Sequence, residues 1–391
     1  MQKIFICGGL GHIGLSLAAV ISKFYLVKLF DLNNAARDKF NVECKASFYE
    51  PGINELLLKN KDNISIVFSL EDACECDIII VTLGTYIDEY LNPVLKHVFS
   101  LFKQLTNILT NQTVIIRSTM YPGMTKKLEK LFIGSNVSLA FCPERVQSGN
   151  MISELQTIPQ IISANNEKAL LSASEFFRPL GVKQKILNDT TAGELSKMMT
   201  NAYRYIDFAI ANQFFEMSLN AECDFYQIHD AIVDEYPRLR HLAKPGFSSG
   251  SCIRKDSLQL ASWYNKTTFS LGYDASLINE GLPLFIFRKM RDKFPNLVNM
   301  TIGLLGMAFK SNCDDIRDSL SYRMKKILEN EVAKVLCSDP FVIDNSFVST
   351  DELIEYSDII ILMTPHDCYR DLNITKLVVD IWNFFGKGIG L

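Results

Sequence analysis

Four clusters in this 391-residue sequence combine residue types and spacings that do chemistry. Gly9, Gly11 and Gly14 form a Gly-x-Gly-x-x-Gly run between an apolar stretch and a helical periodicity. In that context the first glycine allows a sharp turn, the second lets backbone approach a pyrophosphate, and the third permits close helix–strand packing. The helix amino end then offers unpaired N–H groups and a favourable dipole to phosphate oxygens. Asp31 lies 20 residues beyond Gly11, at the end of the next strand-like run. A carboxylate there accepts from the ribose hydroxyls of an NAD-type dinucleotide and repels the 2′-phosphate of NADP. The plainer alternative is an ordinary strand–helix turn followed by a solvated acid.

The segment 244–256, KPGFSSGSCIRKD, surrounds Cys252 with glycine and serine and sets Lys255 and Asp256 just after it. A helix opening near Ser251 places Cys252 at its amino end, where a thiolate is stabilised, with Lys255 and Asp256 one turn on. The competing reading is an inert cysteine inside the core. Lys197 and Asn201 stand four apart in a helical stretch, so one face presents both. Both donate hydrogen bonds to an alkoxide or oxyanion, and Glu194 falls near the same face. Lys310, Asp314, Asp315 and Arg317 form a charge run that is either a solvated loop or a phosphate and sugar contact. The turn before it, Gly303-Leu304-Leu305-Gly306, is no full fingerprint, so a second dinucleotide is not expected. Cys74-Glu75-Cys76 and five scattered histidines make no spaced metal site.

Such residues need a scaffold, and strand-like runs at 3–9, 25–31, 64–68, 77–84, 113–119 and 137–144 alternate with helical stretches, notably 91–110. Strands apolar on both faces predict a mostly parallel sheet covered by helices on each side. From Thr190 to about Cys223, the 3.6-residue period of Leu195, Met198, Met199, Ala202, Tyr205, Ile206, Ala209 and Ile210 predicts one long helix. Residues 299–309, the run EVAKVLCSDP and residues 356–365 then repeat the first unit in outline. The fold expected is α/β, with two Rossmann-like doubly wound domains joined by a long central helix and a helical linker. The boundaries expected are 1–189, 190–297 and 298–391. Tyr203, Tyr205, Phe208, Phe214 and Phe215 exceed what one domain contact needs and predict a homodimer built on the long helix.

Composition narrows the function classes. A chain 48% hydrophobic and 21% charged has ample apolar matter for a packed core. The net charge of −4 removes a global basic field for nucleic acid. Ten cysteines at irregular spacing fit a reducing, cytoplasmic compartment. The apolar stretch 4–21 is interrupted by four glycines and His12, which argues for strand, turn and helix over a signal peptide, and no run suggests a membrane span.

Six segments in order, from the Gly-x-Gly-x-x-Gly run through STMYPG (118–123), CPER (142–145), GELSKMMTNAYR (193–204) and PGFSSGSCIRKD (245–256) to GMAFKSNCDDIRDS (306–319), carry a family resemblance. The chain resembles the nucleotide-sugar 6-dehydrogenases, which include UDP-glucose and UDP-N-acetylmannosamine dehydrogenases. The resemblance implies an NAD-dependent, four-electron oxidation of a sugar C6 alcohol to a carboxylate without release of the aldehyde. It implies Cys252 as nucleophile, Thr119 and Glu144 as water-handling residues, Lys197 and Asn201 as the helix pair, and Asp256 as the acid after the cysteine. For the cofactor it implies His12, Ile13, Thr82, Gly84 and Lys255 beside the glycines, Asp31, Thr119 and Glu144. For the substrate it implies Glu144, Arg145, Lys197, Asn201, Arg204, Phe247, Gly250, Lys310 and Arg317, with Arg238 reaching across a dimer. Tyr86, in GTYIDEYLNP (84–93), replaces the usual proline. Arg145 and Arg204 incline the substrate toward a UDP-N-acetylhexosamine, with UDP-glucose as the alternative, GDP-mannose third, and a binding protein without activity a more distant reading.

Overall fold

The structure, a computed structural model, describes residues 1–88, 93–250, 252–263 and 269–391. Two compact units divide the chain, Met1–Thr200 and Asn201–Leu391.

Among the described residues the first unit has ten strands: β1 (Lys3–Cys7), β2 (Leu26–Phe30), β3 (Ile64–Val67), β4 (Ile78–Val81), β5 (Tyr86–Ile87), β6 (Pro93–Val94), β7 (Thr113–Ile116), β8 (Ser138–Phe141), β9 (Gln160–Ala164) and β10 (Gln184–Leu187). Eight of them form one sheet in the order β10-β9-β8-β7-β4-β1-β2-β3, while β5 and β6 pair as a small antiparallel ribbon. The strands at its centre, β4, β7 and β8, are buried along their whole length. That burial explains their unbroken apolar runs. All neighbours run parallel except β8 and β9. The order reverses between β1 and β4, which opens a crevice beyond their carboxyl ends. β9 and β10 lie beyond the runs legible in the sequence. β10 is an edge strand with two exposed positions, so it lacks a continuous apolar signature. The helix expected over 91–110 is confined to Lys96–Leu105.

The second unit carries a four-stranded parallel sheet of β11 (Thr301–Leu305), β12 (Lys334–Ser338), β13 (Ile359–Leu362) and β14 (Leu377–Val379), ordered β12-β11-β13-β14. Helices Ile253–Trp263 and Ser270–Lys293 lie in the same unit. Together the two units are the Rossmann-like pair that the repeat suggested.

The long helix is continuous from Thr190 to Asn220, 31 residues. Met198, Ala202, Tyr205 and Ala209 are buried on it, at the expected period. Tyr205 and Phe215, counted above as surplus for a dimer, are fully buried within the chain; Phe215 meets Phe225 edge-on at 5.8 Å. Met199, Tyr203, Ile210, Phe214 and Met217 stay exposed, and their spacing puts them on one helical face.

Candidate active site

In the first unit β1 ends at Cys7 and the chain turns sharply before the helix His12–Ile21. The turn is made by Gly8, at φ +78°, and not by Gly9 as the motif suggested. Gly9 instead permits close packing, since a Cβ there would stand 3.0 Å from Leu29 Cβ and 3.0 Å from Ile6 O. Gly14 is tighter still, because a Cβ there would be driven into Gly8 O. At Gly11 a Cβ would meet nothing nearer than Gly8 O at 3.5 Å, so that side of the loop stands open at the helix amino end. Asp31 follows β2 and turns back to the loop. Its Oδ2 accepts from Leu10 N at 3.1 Å and its Oδ1 from Asn33 N at 2.9 Å, while the residue stays half-buried. An open glycine face, first-turn N–H groups at His12 and Ile13, and an accessible carboxylate fit a dinucleotide diphosphate and ribose. Arg37, the residue nearest in sequence for neutralising a 2′-phosphate, bonds Asn34 and lies over the Phe68 ring.

The other strand ends bring further candidates to the same edge. Thr82 follows β4, and its hydroxyl is shared between Cys7 O (2.9 Å) and Gly8 O (3.0 Å), so it fastens the glycine turn. The Tyr86 ring lies against Gly84, whose carbonyl meets the His97 ring nitrogen at 2.6 Å. Residues 89–92 of that stretch lie outside the described residues. Thr119 follows β7 and is half-buried. Glu144 follows β8 in a buried ion pair with Arg117, and its Oε1 accepts from Arg145 N at 2.8 Å and Val146 N at 3.1 Å. Burial alone would raise its proton affinity, but the Arg117 charge and these hydrogen bonds outweigh it and hold the carboxyl below its usual range. The Arg145 guanidinium donates one N–H to Pro159 O and the residue is half-buried.

Two buried acids in this unit fasten loops, and Glu50 among them carried no sequence signal. Glu50 accepts from Gly149 N at 2.7 Å, tying down the loop after Arg145. Glu194, three residues before Lys197 on the same helix, is fully buried. Its carboxylate takes Gly123 N, Thr125 N at 2.7 Å and Thr125 Oγ1 at 2.6 Å, holding the segment after Thr119 to the start of the long helix. Burial raises its pKa despite those donors. Lys197, half-buried, follows one turn later on that helix.

In the second unit Cys252 is exposed and immediately precedes the helix Ile253–Trp263. Its carbonyl accepts from Asp256 N at 2.9 Å, so it stands at the helix amino end, and the reading as an inert core cysteine fails. Ser251 lies outside the described residues. Asp256 is fully buried one turn in; Asn201 Nδ2 reaches one of its oxygens at 2.6 Å and Lys255 Nζ the other at 2.7 Å. That contact assigns Lys255 to Asp256. The loop leading to the cysteine is buried from Pro245 to Gly250. Asn212, itself fully buried, accepts from Gly246 N at 2.9 Å and donates to Asn279 at 2.8 Å. Phe247 belongs to the hydrophobic core of this unit. Gly250 has φ +110° and lies against the Phe309 ring. Arg204 is half-buried, whereas Arg238 is exposed beside Tyr236.

Beyond β11 the loop holding Lys310 leads to Arg317. Arg317 donates twice to Asp315, at 2.9 and 2.6 Å.

Residues 2–181 match the NAD binding domain, 191–281 the central domain and 303–387 the UDP binding domain of one family. The chain belongs to the UDP-glucose/GDP-mannose dehydrogenase family. It is therefore an NAD-dependent oxidoreductase of a nucleotide sugar, carrying the four-electron oxidation to a uronate. It is similar to UDP-N-acetyl-D-mannosamine dehydrogenases of Pyrococcus horikoshii (27% identical, covering 97% of this chain and 92% of the relative) and Methanococcus maripaludis (28%, covering 97% and 89%). The solved structure of a UDP-D-ManNAc dehydrogenase from Pyrococcus horikoshii superposes with a TM-score of 0.89 at 26% identity, covering 100% of this chain and 99% of that one. Among the described residues no helix is long and apolar enough to cross a membrane.

Proposed function

We propose that the chain oxidises the C6 hydroxymethyl of UDP-N-acetyl-D-mannosamine to a carboxylate, with Cys252 as the covalent nucleophile. One observation carries the chemistry: an exposed thiol stands at a helix amino end whose first-turn acid, Asp256, is locked by Asn201 and Lys255. The substrate is supported by the relatives, both named for UDP-N-acetyl-D-mannosamine. Arg145 and Arg204, both half-buried, are the residues that would face the acetamido group.

NAD, when bound, accepts a hydride from C6 in each of the two oxidations. In the first, the hydroxyl proton passes to water or to Lys197. Asn201 spends one amide N–H on Asp256 and keeps the other for the developing alkoxide. The Cys252 thiolate then forms a C–S bond to the aldehyde carbon, and the carbonyl oxygen becomes an oxyanion. Loss of the second hydride converts this thiohemiacetal to a thioester. Water adds to the thioester carbonyl, the C–S bond breaks, and the thiolate is restored. Asp256 or Glu144 takes the proton from that water.

In this reading residues 1–189 hold NAD, 190–297 supply the cysteine and the dimer helix, and 298–391 hold the nucleotide through Lys310 and Arg317. Met199, Tyr203, Ile210, Phe214 and Met217 form the apolar face of a homodimer in the cytoplasm, with Arg238 reaching across it. The test is a panel of UDP-sugars with NAD, counting reduced cofactor against uronate. Two NADH per uronate on the acetamido sugar, and near-complete loss of uronate in Cys252→Ser, are expected. Turnover of UDP-glucose alone would overturn the substrate; parental rates in Cys252→Ser would overturn the nucleophile.

A further inference from the structure

Asp339 follows β12 and its side chain is buried. Its Oδ2 accepts from Met307 N at 2.6 Å, Ala308 N at 2.9 Å and His366 Nε2 at 3.0 Å, and its Oδ1 from Phe341 N at 2.8 Å and Val342 N at 3.1 Å. His366, fully buried after β13, accepts Asn312 N on Nδ1 at 2.9 Å. A ring that accepts on Nδ1 and faces a carboxylate with Nε2 is a neutral imidazole carrying its proton on Nε2. The side chain of Asn312, at φ +56°, completes the tie: its Nδ2 donates to Asp367 Oδ2 at 2.6 Å and its Oδ1 accepts Asp367 N at 3.1 Å. Thr364 Oγ1 fastens Ala308 O at 2.6 Å.

The stretch 307–312 is thus clamped at both ends from two neighbouring strand termini. Lys310 stands between the clamps. A lysine side chain has several rotatable bonds, so fixing its backbone removes much of the ordering cost of binding an anion.

We propose that Asp339 and His366 are positioning residues for nucleotide binding, acting through the 307–312 loop and not on the substrate itself. The proposal rests on Lys310 and Arg317 as the sugar-nucleotide contacts. Its prediction is a split in kinetics. On the full-length protein, His366→Phe keeps the ring volume but removes both hydrogen bonds. It should raise the Kd for UDP, measured calorimetrically, and the KM for the UDP-sugar by roughly tenfold, the equivalent of one good hydrogen bond. Saturated kcat and the KM for NAD should stay within about twofold. Asp367→Ala, at an exposed position, should weaken UDP by about two- to threefold and decides the matter if His366→Phe does not fold. A folded His366→Phe, or failing that Asp367→Ala, that binds UDP as the parent does would overturn the positioning role alone. A parent protein that binds no UDP would overturn the nucleotide contacts on which the role rests.

Discussion

Asp31 and Asp339 occupy the same place in their two units. β1 pairs with β2 so that Cys7 faces Phe30, and β11 pairs with β12 so that Leu305 faces Ser338. The next residues are Gly8 and Gly306, both at positive φ, and each donates its N–H at 2.9 Å to the last carbonyl of the adjacent strand. One residue further along that neighbouring strand stands an aspartate in each. The backbone scaffold is therefore shared, but the acid is used differently. Asp31 takes one N–H from the glycine loop and remains half-buried, with lone pairs to spare. Asp339 is buried and takes two loop amides, two amides of its own turn and an imidazole. A carboxylate so saturated cannot also bind a ribose diol. The two units share the backbone scaffold, and in the second the aspartate serves as a brace for the loop.

The strongest way to break this contrast is to remove the brace. Asp339→Ala leaves five donors without their acceptor, and we expect a loss of about 3–5 kcal/mol in urea unfolding. Burial pushes the Asp339 carboxyl up, but His366 and the backbone amides outweigh it and hold the pKa below its ordinary 3.8. The folded state therefore binds that proton less tightly than the unfolded chain. The stabilisation is complete above 3.8 and declines as pH falls through the depressed value. Asp339→Asn should flatten that acid limb in melts recorded across the range.

Gly14→Ala comes next. Its Cβ would be driven into Gly8 O, and we expect a cost of about 3 kcal/mol in stability. Gly11→Ala is the control that sharpens the point. It should melt with the parent yet raise the KM for NAD by roughly tenfold, because its methyl occupies the face a diphosphate needs. Asp31→Asn, at a half-buried residue, should cost little stability but about 2 kcal/mol in NAD binding. It should also narrow the preference over NADP, as read from kcat/KM with each cofactor. Smallest is Arg37→Ala, expected to change stability and cofactor preference by less than about 0.5 kcal/mol, because its guanidinium rests on Asn34 and Phe68. A large change in NADP use would show that Arg37 reaches the ribose after all.

What could be read in the residues alone was whatever depends on local periodicity and short spacing. Apolar runs marked β1, β4, β7, β8 and the repeat of the first sheet in the second, because a strand buried on both faces has to be apolar throughout. The unbroken 3.6 period marked the long helix, and glycine spacing with an acid after the second strand marked the dinucleotide loop. Cys252 was legible as a candidate from its polar flank, and tertiary structure decided between exposed thiol and core residue. Tertiary structure alone also revealed Glu194 gripping residues 71 and 69 positions earlier, Asp339 gripping His366, Arg117 neutralising Glu144, and Asn212 securing the approach to the cysteine. It also took Tyr205 and Phe215 into the chain's own core, away from the dimer surface their positions had suggested. The reason is physical. A buried polar side chain is fixed by whichever donors the chain folds against it, often from distant sequence, and no local pattern of residues encodes those partners.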